Sequence, residues 1–143
     1  MDLRTAGADV ARFLEAPRYG VVGTAEPDGS VWQAVAWYQA TDDGIVLNAR
    51  DGRRWLTNLR RDPRLSLTVA DGEDYVILRG VAVVTDDPER GLAEGLALAR
   101  RYRSADTYAG QRRVSIVFHP DHVAVHGEIR LGGDVSEPFG ALG

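Results

Sequence analysis

"LNARDGRRWLTNLRRDPRLSLTV", residues 47–69, reads as a strand, a short helix and a second strand. The apolar alternation stops at Ala49, and Asp51 stands where a helix N-cap belongs. Trp55, Leu56 and Leu59 then fall on one side of a helix over 51–63, which Pro63 ends. Alternation resumes in "RLSLTVA" (64–70). The stretch holds six arginines between Arg50 and Arg64, in a chain of formal net charge −4. Arg53 and Arg54 fall in the first helical turn, where the macrodipole disfavours cations by about 0.3–1 kcal/mol each. An anion bound there would reverse the sign, because backbone N–H groups and guanidinium forks would converge on a phosphate or carboxylate. Arg50, before the turn, and Asn58, one turn below Arg54, are further candidate contacts. The competing reading is a solvated patch partly paired with Asp51 and Asp62. Arg60, Arg61 and Arg64 sit at the helix C-terminus, where cations are favourable, and are read as serving the helix.

Outward from this block, "GADVARFLEAP" (7–17) has helical spacing at Val10, Phe13 and Leu14, with Pro17 as its stop. Residues 19–49 read as three strands separated by the turn sequences "EPDGS" and "TDDG". "DGED" joins strand 64–70 to strand 75–85. A helix over 87–103 carries Leu92, Leu96 and Ala99 on one stripe. Residues 112–127 read as two strands broken at Pro120, and 128–143 as a loosely held tail. Strands joined by such short turns pair antiparallel. The expected fold is mainly β with helices: an antiparallel barrel of about seven strands, with residues 1–127 as one domain. Strand 31–39 is apolar on both faces: Val31, Gln33, Val35 and Trp37 on one, Trp32, Ala34, Ala36 and Tyr38 on the other. Its outer face needs a cover, either a partner subunit or a helix of the same chain.

Composition narrows the chemistry. A chain of 143 residues with 44% apolar and 27% charged residues describes one ordinary globular domain. Cysteine and lysine are both absent, so all seventeen basic residues are arginine. Disulfides, thiolate metal sites, cysteine nucleophiles and Schiff-base lysines are excluded. The acidic balance argues against nucleic acid as a partner. No run is long and apolar enough for a bilayer, and no charged-then-apolar leader is evident, so the expectation is a cytoplasmic protein without membrane attachment. His122 and His126, four apart on a strand, are about 13 Å apart and cannot share a metal, and His119 adds nothing, so no metal site is expected. The serines lack a nucleophile-elbow sequence. The glycines of "GDVSEPFG" lack a dinucleotide-loop context.

The run "VVGTAEPDGSVWQAVAWYQATDDGIVLNARDGRRWLTNLRRDPRLSLTV" resembles the pyridoxamine-phosphate-oxidase-like split β-barrels, and most of all their deazaflavin (coenzyme F420)-dependent reductase branch. The "TAEPDGS" hairpin, "NLRRDPR" (58–64) and "LRGVAVV" (78–84) carry the likeness. "RYRSADTYAGQRRVSIVFHPDHVAVHG" (101–127) is similar to the biliverdin-reductase-like members. The resemblance covers roughly residues 10–127. It implies a homodimer with two cofactor sites at the subunit interface. The cofactor's phosphate tail would lie against Asn48, Ala49, Arg50, Arg53, Arg54 and Asn58, and its tricyclic ring near Gln33, Val35 and Trp37. The chain departs from the family at Trp55, where a lysine commonly stands three residues before the Asn-Leu. Trp55 then either packs into the core, leaving the phosphate to Arg50, Arg53 and Arg54, or turns outward over the cofactor.

The implied activity is hydride transfer from reduced F420 to an unsaturated small-molecule acceptor, with a tetrapyrrole as one candidate. No acid/base or nucleophile set is evident, which fits chemistry carried by a cofactor. Protonation is left to solvent or to an arginine-bound water. The rival readings are an FMN-binding oxidase or reductase of the same fold, and a barrel that carries cofactor or haem without turnover.

Overall fold

The computed structural model describes residues 7–129. Three helices and seven strands follow one another as α1 (Ala8–Glu15), β1 (Gly20–Ala25), β2 (Val31–Ala36), β3 (Gln39–Thr41), β4 (Gly44–Arg50), α2 (Arg54–Arg61), β5 (Arg64–Asp71), β6 (Asp74–Thr85), α3 (Pro88–Arg101) and β7 (Arg113–His126). All pairings are antiparallel, in the order β2-β1-β5-β6-β7-β4-β3.

That order forces closure. The two edges, β2 and β3, are consecutive in sequence and joined only by Trp37 and Tyr38. Seven flat strands would hold their edges roughly 29 Å apart, whereas three Cα steps reach at most about 11 Å. The sheet must therefore curl until its edges meet. No β2–β3 ladder forms among the described residues, so the barrel is closed by the chain itself and stays split along that seam. Side chains fasten the seam. Tyr38 is fully buried and its hydroxyl donates to Ala16 O at 2.9 Å. Arg101, at the end of α3, donates to Tyr38 O (2.9 Å), Glu15 O (2.8 Å) and Leu14 O (3.1 Å), satisfying the last carbonyls of α1 and the crossover together.

Two differences from the sequence reading cancel in the strand count. Residues 19–49 form four strands, not three, because the Trp37–Tyr38 crossover splits one apolar run between opposite sheet edges. Residues 113–126 form one strand, not two. Pro120 is absorbed at a register shift opposite Gly80, where a Cβ would lie 2.1 Å from His119 O. The stripe of α3 also differs: its buried residues are Gly91, Gly95, Leu98 and Ala99, while Leu92 is exposed. A Cβ at Gly91 would stand 2.0 Å from Arg113 O and one at Gly95 2.8 Å from Asn48 Oδ1, so the missing side chains bring α3 down onto β4 and β7.

The barrel interior is filled by Val22, Ile45, Leu47, Leu67, Ile116 and Phe118, all without exposure, and each contributes about 1.5–3 kcal/mol by burial. The outer wall is different. Val31 and Val35 are 72% and 67% exposed, so among the described residues no helix covers the outer face of β2, contrary to one of the two covers considered. In the expected tail, Glu128 N donates to Asp74 Oδ1 and Ile129 is buried against the core; residues 130–143 lie outside the described residues. Among the described residues no helix is long and apolar enough to cross a membrane.

Candidate functional site

A cleft of about 540 Å³ runs along β2 and Trp37, between the end of β4, the first turn of α2, the loop from α3 to β7 and the start of β7. Among the candidates, Gln33, Val35, Trp37, Asn48, Ala49, Arg50, Arg53, Arg54 and Trp55 all line it. Asn58 does not. It is 2% exposed, its Nδ2 donates to Thr24 Oγ1 and Glu26 Oε1 (both 3.1 Å), and its Oδ1 accepts from Arg61. It ties α2 to β1, and no ligand contact is available to it.

The start of α2 also differs from expectation. Arg53 is the N-cap residue and no side chain caps the helix. Asp51 instead accepts from Arg60 at 2.9 Å and pairs with Arg112. Arg54 is occupied: it makes a two-pronged contact with Glu26 (2.9 and 2.6 Å), and its guanidinium lies 4.2 Å from the Trp32 ring. The Arg54 and Asn58 hydrogen bonds hold the Glu26 carboxyl below its ordinary range. Trp55 is 6% exposed and belongs to the core cluster, with only an edge on the cleft. Trp55 is thus packed inward.

Sequence reasoning missed the opposite wall, built from Arg113, Tyr108, Asp106 and Gln111. Arg113 pairs with Arg50 across the β4–β7 ladder, a register that only the folded sheet reveals. Its guanidinium is fixed by Asn48 Oδ1 (2.9 Å), Gln111 Oε1 (2.9 Å) and the Tyr108 ring, 3.9 Å away. Asn48 is in turn held by donation to Gly91 O at 2.8 Å, the contact that the glycine stripe of α3 permits. Burial, with the charges of Arg53 and Arg50 adding to it, pushes the Arg113 pKa down. Among the described residues Arg50, Arg53 and Arg113 have no carboxylate ion pair, and Asp106, though close to Arg113, forms none with it. The wall along β2 and Trp37 is apolar apart from Gln33. Trp37 is held flat by Tyr102, with ring centroids 4.9 Å apart and 7° between planes. No group of three His, Asp or Glu side chains suited to a metal occurs among the described residues.

The chain belongs to the pyridoxamine 5'-phosphate oxidase family, whose pattern matches residues 7–137. No curated protein matches it. Its fold is similar to that of an F420 reductase, at 26% identity and TM-score 0.69 over 79% of this chain and 94% of that one. It is also similar to a conserved hypothetical protein of Mycobacterium tuberculosis (24% identity, TM-score 0.73, 93% and 98% covered). A NimC/NimA family protein of Clostridium acetobutylicum shares the fold at 11% identity, with TM-score 0.64 and 82% of each chain covered.

Proposed function

We propose that this protein is an F420-dependent reductase, passing hydride from the reduced deazaflavin to an unsaturated small-molecule acceptor. The carrying observation is the set of three guanidiniums, Arg50, Arg53 and Arg113, gathered on one cleft without carboxylate partners among the described residues. Holding three cations together is unfavourable in the empty protein and favourable around an anion. The cleft volume lies within the range of cofactor pockets. The 26% identity to an F420 reductase supports the deazaflavin over FMN.

The residues present fit such a group. Arg50, Arg53 and Arg113 would hold its anionic tail beside the uncapped start of α2. Arg54 would not, because Glu26 already neutralises it. Gln33, Val35 and Trp37 would flank the ring system, and the Tyr102 stack keeps the Trp37 plane fixed. When bound, the deazaflavin supplies a hydride. The chain's own part is to orient the ring, place the acceptor and limit water. A tetrapyrrole remains a candidate acceptor on the family resemblance. Val31 and Val35, apolar and exposed on the outer face of β2, support a homodimer in which a second copy covers this wall beside the cleft.

Side-by-side binding titrations with F420 and FMN test the reading. Tighter binding of F420, lost when Arg53 and Arg113 are replaced, is the expected result. Preference for FMN would make the protein a flavin enzyme of the same fold. Binding of either without turnover of any acceptor would make it a carrier.

A further inference from the structure

Tyr108 holds an unusual position. Its φ is +54, a left-handed conformation that costs a non-glycine residue roughly 1–2 kcal/mol. The loop enforces it. Asp106 N donates to Ser104 Oγ (3.2 Å), Tyr108 N donates to Asp106 Oδ1 (2.8 Å), and Gln111 N closes a turn onto Tyr108 O (3.0 Å). The result is a ring that is 8% exposed, lies 3.9 Å from the Arg113 guanidinium carbon and lines the cleft. Backbone strain kept beside a ligand cleft points to function.

The hydroxyl is free for a task. No hydrogen bond within the described residues involves Tyr108 Oη, yet no buried polar side-chain atom lacks a partner, so Oη reaches solvent. The same residue lines the cleft. Every other lining side chain is a poor proton source. Arginine does not release its proton, the amides and tryptophans do not titrate, and Asp106 is committed to the Tyr108 backbone.

We propose that Tyr108 is the general acid of this cleft, its Oη supplying the proton that completes reduction of the acceptor. This rests on the reductase reading. The bound cofactor would supply a hydride that forms a C–H bond at one end of the acceptor's double bond, with the π pair moving to the other end. That end takes the proton as the Tyr108 O–H bond breaks, so the acceptor gains a hydride and a proton. The Arg113 guanidinium over the ring stabilises the phenolate left behind, and water in the open cleft reprotonates it. Burial raises the Tyr108 pKa, Arg113 opposes that, and Asp106 reinforces it; Arg50 of β4 and Arg53 at the start of α2 line the same cleft. The phenol therefore stays protonated, ready to donate, up to a higher pH than an ordinary tyrosine.

Tyr108→Phe keeps the ring over Arg113 and removes only the hydroxyl. In the full-length variant the F420 dissociation constant should stay within about twofold of wild type. Single-turnover oxidation of reduced F420 by biliverdin or by menadione should slow at least about 100-fold, and the alkaline fall in rate should vanish. In the unloaded proteins, an absorbance titration of wild type minus variant should show one phenol ionising above about 10. An unchanged rate, or a phenol that ionises at or below the ordinary value, overturns the proposal. So does a variant that loses F420 affinity while keeping its rate, since the hydroxyl is then a ligand contact. A wild type that binds F420 but reduces neither acceptor also overturns it, whereas a wild type that binds no cofactor fails the reductase reading at its own titration.

Discussion

The two ends of α2 carry similar numbers of arginines and treat them in opposite ways. At the C-terminal end, Arg60 bridges Asp51 and Asp86, Arg64 pairs with Asp62 at 2.7 Å, and Arg61 donates to Ala25 O and Asn58 Oδ1. Those cations sit where the helix dipole favours them; Arg60 and Arg64 are neutralised by carboxylates, while Arg61 is held by two neutral oxygens. At the N-terminal end, Arg50 and Arg53 sit where the dipole disfavours them, and among the described residues no carboxylate pairs with either. Arg54 divides the two regimes: it lies in the first turn but is neutralised by Glu26. Charge that a fold satisfies internally serves structure, and charge left unsatisfied at the wrong end of a dipole is available to a ligand.

The largest expected effect comes from removing the anchor that both ends share. Trp55 is 6% exposed in the barrel core, so Trp55→Ala should lower unfolding stability by about 3–5 kcal/mol in a urea titration. Trp55→Lys should be worse, since a buried ammonium there has no partner. A stable Trp55→Lys that binds F420 more tightly would show that the tryptophan faces the ligand, and the N-terminal end would lose its reliance on arginine alone.

Next comes Asn58, which the sequence grouped with the ligand side and the structure places within the scaffold. Asn58→Leu strands Thr24 Oγ1, itself 3% exposed, and frees Glu26 from one of its two donors. A stability loss of about 1–3 kcal/mol with little change in F420 affinity is expected. Affinity falling further than stability would return Asn58 to the site.

Periodicity and turn residues revealed the helices and hairpins in the sequence, because Pro17, Pro63 and the Asp-Gly pairs act locally. The crossover at Trp37–Tyr38 was hidden: an unbroken apolar run gives no sign that its halves lie on opposite sheet edges. The cleft was half legible for the same reason. The β2, β4 and α2 residues lie close to one another in the chain, while Arg113 reaches Arg50 only through the register of the β4–β7 ladder. The Arg54–Glu26 pair also spans two elements, so dipole reasoning alone could not separate Arg54 from Arg53.

Replacing the unpartnered arginines should act on binding and not on folding. Arg53→Ala with Arg113→Ala should weaken F420 at least tenfold, about 1.4 kcal/mol, in a fluorescence titration. Arg60→Ala should leave affinity unchanged, and Arg54→Ala should change it less than the double variant does. Equal losses from Arg54 and Arg53 would erase the boundary drawn through the first turn.

The smallest effect separates the two ends by pH. The Asp62 carboxyl is lowered from its ordinary value to about 2, first by hydrogen bonds from Arg64 and then by the charges of Arg64 and Arg61. A depressed carboxyl contributes stability above its unfolded value, near 3.8, and that contribution disappears as pH falls through about 2. Asp62→Asn should therefore unfold slightly earlier than wild type in urea at neutral pH, with the gap closing between pH 4 and 2. The gap should be small, because the pair is exposed to solvent and salt. Arg53→Ala should show no such closing gap, since no carboxylate among the described residues pairs with it. If the Arg53 variant instead loses stability with the same acid dependence, a carboxylate does hold this end of α2, and the arginines there would not be free for an anion.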